Sequence, residues 1–405
     1  MSQGTVSTPT SASTPPGTPP GCERIAYAVG FKENATYSDV YGGGGALVGL
    51  DCHLVRPLDE RSETLIVFMH PVGGGMYLPM VRGLAAAGHH VLLANSRYRG
   101  ADYALIMEKV AHDLGEAILD AKTRLGYQRV VLAGWSGGGS LSMWYQALAE
   151  AGGGITETAA GDPYEVTADR LPAADAVLML AAHVSRHCIF TEWLDPSILD
   201  ETQPAVRSAE LNLYDPSNPN QPPYSPDFLT EFAAAQVARN RRITAWVKEQ
   251  LAAIRISGNP HRELAFTVHG TMADPRWLDP AIEPSDRVPG VCYLGDPEVV
   301  NDGPVGLARY CSLRSWLSQW SFDDARCDAL AAGSGVSVPV LVVGNSADDA
   351  CTPSHTSRLF EAVSHSRKQL HVVQGATHYY TGADGKQHLQ EAVSVVGNFI
   401  AAQLG

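Results

Sequence analysis

The sequence predicts an α/β protein with a mostly parallel sheet, and two features of the chain support this fold class. Short apolar runs alternate with amphipathic helical patterns, as in sheets whose parallel strands are connected by helices. Several runs are continuously aliphatic and β-branched, which is typical of strands covered on both faces. The predicted strands span residues 24–30, 45–56, 64–70, 90–95, 129–134, 176–182, 338–344 and 369–374.

The helices between these strands are predicted from apolar residues that recur every three or four positions. Such a pattern runs through 104–125 and again through 387–403, and each predicts a helix with one buried face. Other helical segments are expected directly after Ser136, over 227–254 and over 354–364. This order of elements predicts a twisted sheet that is flanked by helices.

The alternation of strands and helices stops between residues 184 and 325, which predicts an insertion over the sheet. This stretch is rich in Pro, Asp and Asn, and it contains five of the seven tryptophans. We therefore expect a disordered tail over 1–21, a first core part over 22–183, a mainly helical cap over 184–325 and a second core part over 326–405. The helix candidate 227–254 either packs on the core or lines a hydrophobic tunnel.

Composition limits the partners and the location of the protein. A formal net charge of −14 argues against nucleic acid as a partner, because phosphate binding needs clustered Lys and Arg. The one basic cluster, Arg239, Arg241 and Arg242, is predicted to form an exposed helix face. Seven cysteines without a C-x-x-C pair favour reduced thiols. The chain has no signal-peptide pattern and no apolar run of membrane-spanning length, so we expect a cytoplasmic protein without a membrane partner.

The motif that points to chemistry is Gly134-Trp135-Ser136-Gly137-Gly138, which matches G-x-S-x-G. It lies between a predicted buried strand and a helical segment, where a strained turn presents a nucleophilic serine. The glycines fit this turn because side chains there would clash with adjacent backbone. The turn lifts the hydroxyl of Ser136 clear of the sheet at a helix N-terminus, where free N–H groups favour developing negative charge.

A serine nucleophile needs a base, and the base needs an acid that orients it. His378 follows the last predicted strand, and Asp348 and Asp349 follow the strand before it. These residues lie past the C-terminal ends of strands, at the same edge as Ser136, where ligands of open α/β sheets bind. Successive residues in a turn point in different directions, so only one aspartate can accept from the imidazole. We favour Asp348 over Asp349.

On these motifs, the chain resembles the α/β-hydrolase superfamily over residues 22–183 and 326–405. The resemblance is carried by GWSGG, GNSADDACTP and the late GATH, which follow the superfamily's order of Ser, Asp and His. The stretch DDACTPSH is also similar to the acid loop of acetyl-esterase and prolyl-oligopeptidase-like branches, in which a Pro follows the acid by five residues. That similarity supports Asp348, with Pro353 after it. The resemblance implies an α/β-hydrolase fold with the cap inserted after the sixth strand.

Acyl transfer also needs two N–H donors aimed at the tetrahedral oxyanion. Gly137, directly after the nucleophile, is expected to give one, and the loop after the third strand is expected to give the other. Many superfamily members carry His-Gly in that loop, whereas this chain reads His70-Pro71-Val72-Gly73. Pro71 has no N–H, so Val72 is the first candidate and Gly73 the second. A merely flexible Gly-rich turn is the alternative, and His70 is expected to be a buried structural residue.

Residues near the strand ends are candidates for the substrate pocket. Trp135, His183 and Tyr379 are expected to contact the substrate. The segment 96–103 either contributes to the pocket wall or is an ordinary strand-to-helix loop. His183 and His187 are four residues apart, but no third ligand accompanies them, so we expect neither a metal site nor a cofactor.

The sequence thus predicts a serine hydrolase of the carboxylesterase type that acts through an acyl-enzyme intermediate. Its expected substrate is a carboxylic ester or lactone of small to medium size and partly apolar character, because the cap is rich in aromatic residues. An acyltransferase, or a C–C or amide hydrolase, that uses the same triad is one alternative. A relative of another class, which binds a small molecule without catalysis, is a second alternative.

Overall fold

The computed structural model describes residues 18–34, 37–38, 40 and 46–405. Within these residues, the main sheet has eight strands, numbered β1 to β8 here. They are Cys22–Lys32, Leu47–Pro57, Thr64–Phe68, His90–Ala94, Arg129–Ser136, Ala176–Ala182, Val340–Asn345 and Lys368–Val373. Each corresponds to one of the predicted strands. Residues 1–17 of the predicted tail lie outside the described residues.

The order of the strands across the main sheet is β1-β2-β4-β3-β5-β6-β7-β8. The pairs β1/β2 and β2/β4 are antiparallel, and every pair from β4 to β8 is parallel. The prediction of a mostly parallel sheet is therefore confirmed. Because the carboxyl ends of the parallel strands meet at one edge, the loops after β3, β5, β6, β7 and β8 lie near one another.

Helices cover both faces of the sheet and make up part of the chain between β6 and β7. In the described part of the chain, helices α1 to α11 span Pro79–Ala86, Met107–Thr123, Gly137–Ala151, Arg186–Trp193, Pro226–Ile256, Pro275–Leu278, Pro297–Asp302, Leu313–Gln319, Ala329–Gly333, Pro353–Ala362 and Gly385–Leu404. Two short antiparallel strand pairs lie outside the main sheet, Ile155–Glu157 with Pro163–Val166 and Ala265–Thr267 with Tyr310–Ser312.

Alternation of side chains along the central strands builds a core on each face of the sheet. On β3, Leu65 and Val67 pack in a cluster with apolar residues of α2 and α3. Ile66 and Phe68 point the other way and pack with residues of α1 and α11. Burial on both faces explains why the central strands are continuously apolar, and it holds the strand ends that carry the polar loops in fixed positions.

The chain between β6 and β7 leaves the main sheet and includes residues 184–325. Less than half of this segment is helical, so it differs from the mainly helical cap that the sequence predicts. Asp200, Asp215 and Asn218 show the reason, because the side chain of each accepts a hydrogen bond of 2.8 Å from the backbone N–H two residues later. Such turns give the backbone an alternative to helix formation.

Helix α5 uses its apolar face for packing within this segment. The buried residues of that face include Phe228, Phe232, Ile243, Val247 and Leu251. They join two apolar clusters with residues such as Trp316 and Tyr224, which supports core packing over a tunnel lining. The prediction of an exposed basic face is wrong for Arg239, which is 1% exposed and ion-pairs with Glu201.

Two further observations concern the state of the cysteines and the ability of the helices to cross a membrane. All seven cysteines are free thiols, and all except Cys188 are buried. Among the helices of the described residues, none combines the length and the apolar character needed to cross a membrane.

Candidate active site

Ser136 lies at the end of β5, in the turn that begins α3, with φ 51° and ψ −120°. This left-handed φ is rare for a residue with a side chain and marks a strained position. Two glycines make room for the turn. A Cβ on Gly134 would lie 2.2 Å from the carbonyl oxygen of Gly138, and a Cβ on Gly138 would lie 2.6 Å from that of Met69. The tight turn therefore depends on the glycines of the motif.

The loops after β7 and β8 bring an acid and an imidazole together. Nδ1 of His378 is 2.7 Å from Oδ2 of Asp348, and both residues are buried. The other oxygen of Asp348 accepts hydrogen bonds from the N–H groups of Ala350, at 2.8 Å, and Cys351, at 2.7 Å. These contacts fix the carboxylate, and the carboxylate in turn holds Nδ1 of His378 as the protonated nitrogen.

Asp349, the neighbouring candidate, makes no side-chain hydrogen bond to His378 among the residues that the structure describes. Its backbone carbonyl accepts a hydrogen bond of 2.7 Å from Nε1 of Trp277, and its side chain is half-buried. Burial and the charge of Asp348 raise the pKa of Asp349 to about 6. Asp348 is therefore the hydrogen-bond partner of the His378 imidazole, and Asp349 lies beside this pair.

The environment of His378 makes its ring a stronger base. Burial lowers the pKa of His378, but the charge of Asp348 and the hydrogen bond to it outweigh burial, so the pKa is raised above its usual value. The rings of Trp135 and Tyr379 meet the imidazole edge-on, with centroids 5.8 Å and 4.7 Å away. These aromatic contacts restrict the ring to one orientation.

Ser136 and His378 line the same cavity, which has a volume of about 140 Å³. Within the described residues, the serine hydroxyl makes no hydrogen bond with His378 and instead contacts the thiol of Cys351. The Cys351 sulfur in turn lies within 4.8 Å of the side-chain atoms of Asp348 and His378. Serine and imidazole are often loosely placed in an empty active site and come together when substrate binds.

The same side chains are the candidate metal ligands in the described part of the chain: Asp348, Cys351 and His378. Burial raises the pKa of the Cys351 thiol well above its usual value, so the sulfur is held as a poor metal ligand. The acid–base contact between Asp348 and His378 already uses the carboxylate oxygen and the ring nitrogen that a metal would need. The arrangement fits proton transfer better than metal binding.

The loop after β3 is held by β4 and by its own histidine. The N–H of Gly73 donates to the carbonyl of His70 at 2.8 Å, and that of Gly74 donates to Oδ1 of Asn95 at 2.6 Å. The N–H of Val72 makes only a long bond, 3.4 Å, to Nδ1 of His70. Of the two predicted loop donors, Gly73 is thus already engaged, and Val72 is engaged weakly. The N–H of Gly137 is free of the helical ladder because it opens α3.

His70 has its second ring nitrogen beside Gly137, the residue after the nucleophile. Because Nδ1 accepts from Val72, the proton of the neutral ring is on Nε2. A Cβ on Gly137 would lie 3.1 Å from this Nε2, so the N–H lies directly beside the residue after the nucleophile. Burial, and then the charges of Arg186 and His378, lower the pKa of His70 to about 3, which keeps the ring neutral.

The residues predicted to contact substrate all line the cavity: Trp135, His183 and Tyr379. An outer, more open cleft of about 480 Å³ shares Tyr77, Tyr293 and Tyr379 with it. Part of the cavity wall comes from the segment after β6, through Ile189, Trp193, Tyr293 and Leu307. The cavity is therefore bounded by the sheet edge on one side and by this segment on the other.

Two charged residues of the cavity were not identified from the sequence, Asp102 and Arg186. Asp102 belongs to the segment 96–103, for which a pocket wall was one of two interpretations. Arg186 follows His183 by three residues, just past the end of β6. Arg186 follows a sheet strand at the edge where Ser136 lies. This position could have identified Arg186 as a candidate from the sequence.

The fold of this chain is similar to those of several solved structures. The chain is similar to the siderophore hydrolase EstB from Aspergillus fumigatus (13% identity, 88% of this chain and 95% of that one, TM-score 0.50). It is also similar to a hypothetical protein from Pseudomonas aeruginosa (12%, 99% and 100%, TM-score 0.50). The α/β hydrolase GrgF from Penicillium sp. sh18 is a further match (14%, 94% and 99%, TM-score 0.49).

The two structures with a TM-score of 0.50 are similar to this chain in fold over most of its length. The chain has the α/β-hydrolase fold. No protein-family model matches the chain, and no curated protein is significantly similar to it in sequence. The assignment of activity therefore depends on the geometry of the cavity in this chain.

Proposed function

We propose that this protein is a serine hydrolase that cleaves a carboxylic ester or lactone through an acyl-enzyme intermediate on Ser136. The observation that carries the proposal is the buried 2.7 Å contact between His378 and Asp348 at the cavity that Ser136 also lines. A strained serine turn, an oriented imidazole and a fixed carboxylate are the parts that acyl transfer needs.

In the proposed mechanism, the hydroxyl oxygen of Ser136 attacks the substrate carbonyl while Nε2 of His378 takes its proton. The tetrahedral intermediate then collapses, and His378 gives that proton to the departing alcohol oxygen. A water molecule enters, loses a proton to His378 and attacks the acyl-enzyme, so that the carboxylic acid leaves and Ser136 regains its proton. Asp348 holds the tautomer of His378 and stabilises the ring when it is charged.

The developing oxyanion needs two donors, and we assign the first to the N–H of Gly137. We assign the second to the Nε2–H of His70, because this group lies beside Gly137 without a hydrogen bond to any residue that the structure describes. The N–H of Val72 donates a hydrogen bond to Nδ1 of His70. This bond favours the tautomer of His70 that carries its proton on Nε2. In this proposal, His70 replaces Val72 as the loop donor.

The segment 184–325 is proposed to act as the cap over the site. It contributes Trp193 and Tyr293 to the cavity wall, and their rings contact each other with centroids 5.6 Å apart. An aromatic wall with a few polar groups is suited to a small to medium, partly apolar ester. The shared border with the outer cleft at Tyr77 and Tyr379 gives a path for a leaving group.

The test is covalent labelling with a fluorophosphonate probe, followed by identification of the modified peptide. The intact protein should be labelled on Ser136, and Ser136→Ala should abolish labelling. Ser140→Ala is the matched control, because Ser140 is a buried serine one turn further along the same helix. Intact protein that takes up no label would refute the hydrolase, and so would label on another residue.

A second measurement separates hydrolysis from the related reactions. Mass spectrometry of protein quenched during turnover of p-nitrophenyl esters should show an acyl group on Ser136. Product analysis with water and competing alcohols then tells whether the acyl group passes to water or to an acceptor. Exclusive transfer to the alcohol would identify an acyltransferase that uses the same residues.

A further inference from the structure

Arg186 is a buried cation whose hydrogen bonds are incomplete. The residue is 4% exposed, and its Nε and Nη2 atoms have no hydrogen-bond partner among the residues that the structure describes. Arginine stays protonated in proteins and offers five N–H groups in one plane. Leaving such donors unpaired away from water is unfavourable, so the position calls for an acceptor that the chain itself does not supply.

The nearest charged group balances Arg186 poorly. Oδ2 of Asp102 is 4.0 Å from Nη2, which is beyond hydrogen-bonding distance. Burial raises the pKa of Asp102 despite the attraction of Arg186, and burial lowers the pKa of Arg186 despite the attraction of Asp102. For Arg186, burial thus outweighs the attraction of Asp102, whose own side chain is partly exposed.

Other neighbours hold the guanidinium in place without neutralising it. The ring of Trp320 lies under it, with the guanidinium carbon 4.3 Å from the ring centroid. Burial lowers the pKa of His70 to about 3, and burial lowers the pKa of His183 well below its usual value, so both rings are neutral. Stacking fixes the plane of Arg186, and its positive charge remains available to a ligand.

The guanidinium of Arg186 lies beside Gly137, the residue after the nucleophile. It lines the same cavity as Ser136, and its Nη1 would be 3.4 Å from a Cβ placed on Gly137. Nε2 of His183 would lie 3.3 Å from that point. A group held by Arg186 would therefore lie within a few bonds of a carbonyl that Ser136 attacks.

We propose that Arg186 binds a carboxylate of the substrate close to the scissile carbonyl, so that the preferred substrates are anionic half-esters or lactones that carry a carboxylate. This inference rests on the proposed hydrolase function and narrows its substrate class. A carboxylate supplies both the charge and the acceptor oxygens that Arg186 lacks, and guanidinium–carboxylate contacts are strong and directional. The aromatic wall still takes the apolar part of the same molecule.

The first test compares matched esters. Monoethyl succinate carries a carboxylate, and ethyl succinamate has a neutral amide of the same shape in its place. The intact enzyme should show at least about tenfold higher kcat/KM for the anionic ester. Arg186→Met should lower kcat/KM for monoethyl succinate by about 100-fold and change that for ethyl succinamate by less than about fivefold. Equal losses on both esters would overturn the inference, and so would a wild-type preference for the amide.

Two further variants exclude a purely structural role. Arg186→Lys keeps the charge with a different geometry and should give an intermediate preference for the anionic ester. Asp102→Asn removes the carboxylate that lies 4.0 Å from Arg186 and should keep or increase the preference for the anionic ester. If Asp102→Asn loses the preference as Arg186→Met does, then Arg186 serves an ion pair with Asp102 and the inference is wrong.

A binding measurement separates this inference from the hydrolase proposal. Succinate should bind to Ser136→Ala, as measured by calorimetry, and the double variant with Arg186→Met should lose this binding. If the protein turns over no ester but succinate binding still depends on Arg186, the hydrolase proposal fails and the carboxylate site stands. If Ser136 is acylated but succinate binding is absent or independent of Arg186, the carboxylate site fails and the hydrolase stands.

Discussion

The two walls of the cavity differ in how completely their titratable side chains are paired. On one wall, Nδ1 of His378 has its carboxylate, and both oxygens of Asp348 have donors. On the other wall, Arg186 has two nitrogens and His183 has one without a partner in the described residues. The paired wall is built to hold a proton-transfer geometry before substrate arrives. The unpaired wall is completed only by what enters the cavity.

A second buried arginine, Arg276, shows how complete the pairing of a guanidinium is elsewhere in this fold. Arg276 lies 2.6 Å from Asp274, 2.7 Å from Glu192 and 3.3 Å from Glu283. Burial lowers the pKa of Arg276, but these carboxylates outweigh it and raise the pKa well above its usual value. The pKa of Arg186 moves in the opposite direction, although both residues are buried. The carboxylates around Arg276 outweigh its burial, whereas the attraction of Asp102 does not outweigh the burial of Arg186.

The largest expected effect comes from breaking the paired wall. Asp348→Asn should lower kcat by about 10⁴-fold, because the imidazole of His378 loses both its tautomer and the stabilisation of its charged form. Steady-state kinetics with a p-nitrophenyl ester measure this effect. Asp349→Asn is the matched control and should retain most of the activity. If Asp349→Asn is the more damaging change, the acid has been assigned to the wrong residue.

Next in size is the structural arginine. Arg276→Met should lower the free energy of unfolding by about 3–5 kcal/mol, since it leaves the buried carboxylates of Asp274 and Glu192 without their cation. Chemical denaturation followed by tryptophan fluorescence measures the change. A loss below about 1 kcal/mol would mean that the cluster adds little to stability, and the contrast with Arg186 would disappear.

His70, which like Arg186 lies beside Gly137, is expected to contribute to catalysis. His70→Phe should lower kcat by about 10²–10³-fold with little change in KM, because the Nε2–H contacts the oxyanion only as charge develops on it. His70→Gln, which can place an amide N–H near the same point, should recover part of kcat. A rise in KM at constant kcat would show instead that His70 contacts the bound substrate. In that case Val72 would be the remaining candidate for the loop donor.

Local sequence patterns were enough for the sheet and for the residues that follow its strands. Ser136, Asp348 and His378 each stand directly after an apolar run, so parallel topology alone brings them to one edge. Arg186 also follows such a strand, but its importance depends on which partners it lacks. That depends on where Asp102 and Trp320 lie, and neither position can be derived from local periodicity.

Helix α5 was predicted correctly from its apolar pattern, but the prediction that Arg239 is exposed on it is wrong. Arg239 lies seven residues after Phe232 and four before Ile243, on the same face of the helix. Its side chain is buried because Glu201 and backbone carbonyls accept its hydrogen bonds. Composition treats every arginine as a surface residue, whereas tertiary partners decide whether one is buried.

The pH dependence of activity tests the pairing of His378 with Asp348. His378 must be neutral to accept the proton of Ser136, and its raised pKa places the acid limb of kcat/KM for a neutral ester at higher pH than an ordinary histidine would. Below that limb, activity should fall about tenfold per pH unit. In the residual activity of Asp348→Asn, the limb should move to lower pH, because the charge and the hydrogen bond of Asp348, which oppose the effect of burial on the pKa of His378, are then lost. An acid limb that stays in place would show that another group titrates.

The smallest expected effect is on the stability of the Arg186 variant. Arg186→Met should change the free energy of unfolding by less than about 1 kcal/mol, in either direction. The variant loses the stacking of the guanidinium on Trp320, worth about 0.5–2 kcal/mol, but it also removes a buried charge whose pairing is incomplete. Chemical denaturation beside Arg276→Met gives the direct comparison. A loss as large as that of Arg276→Met would mean that the protein already satisfies Arg186, and the unpaired wall would need no substrate to complete it.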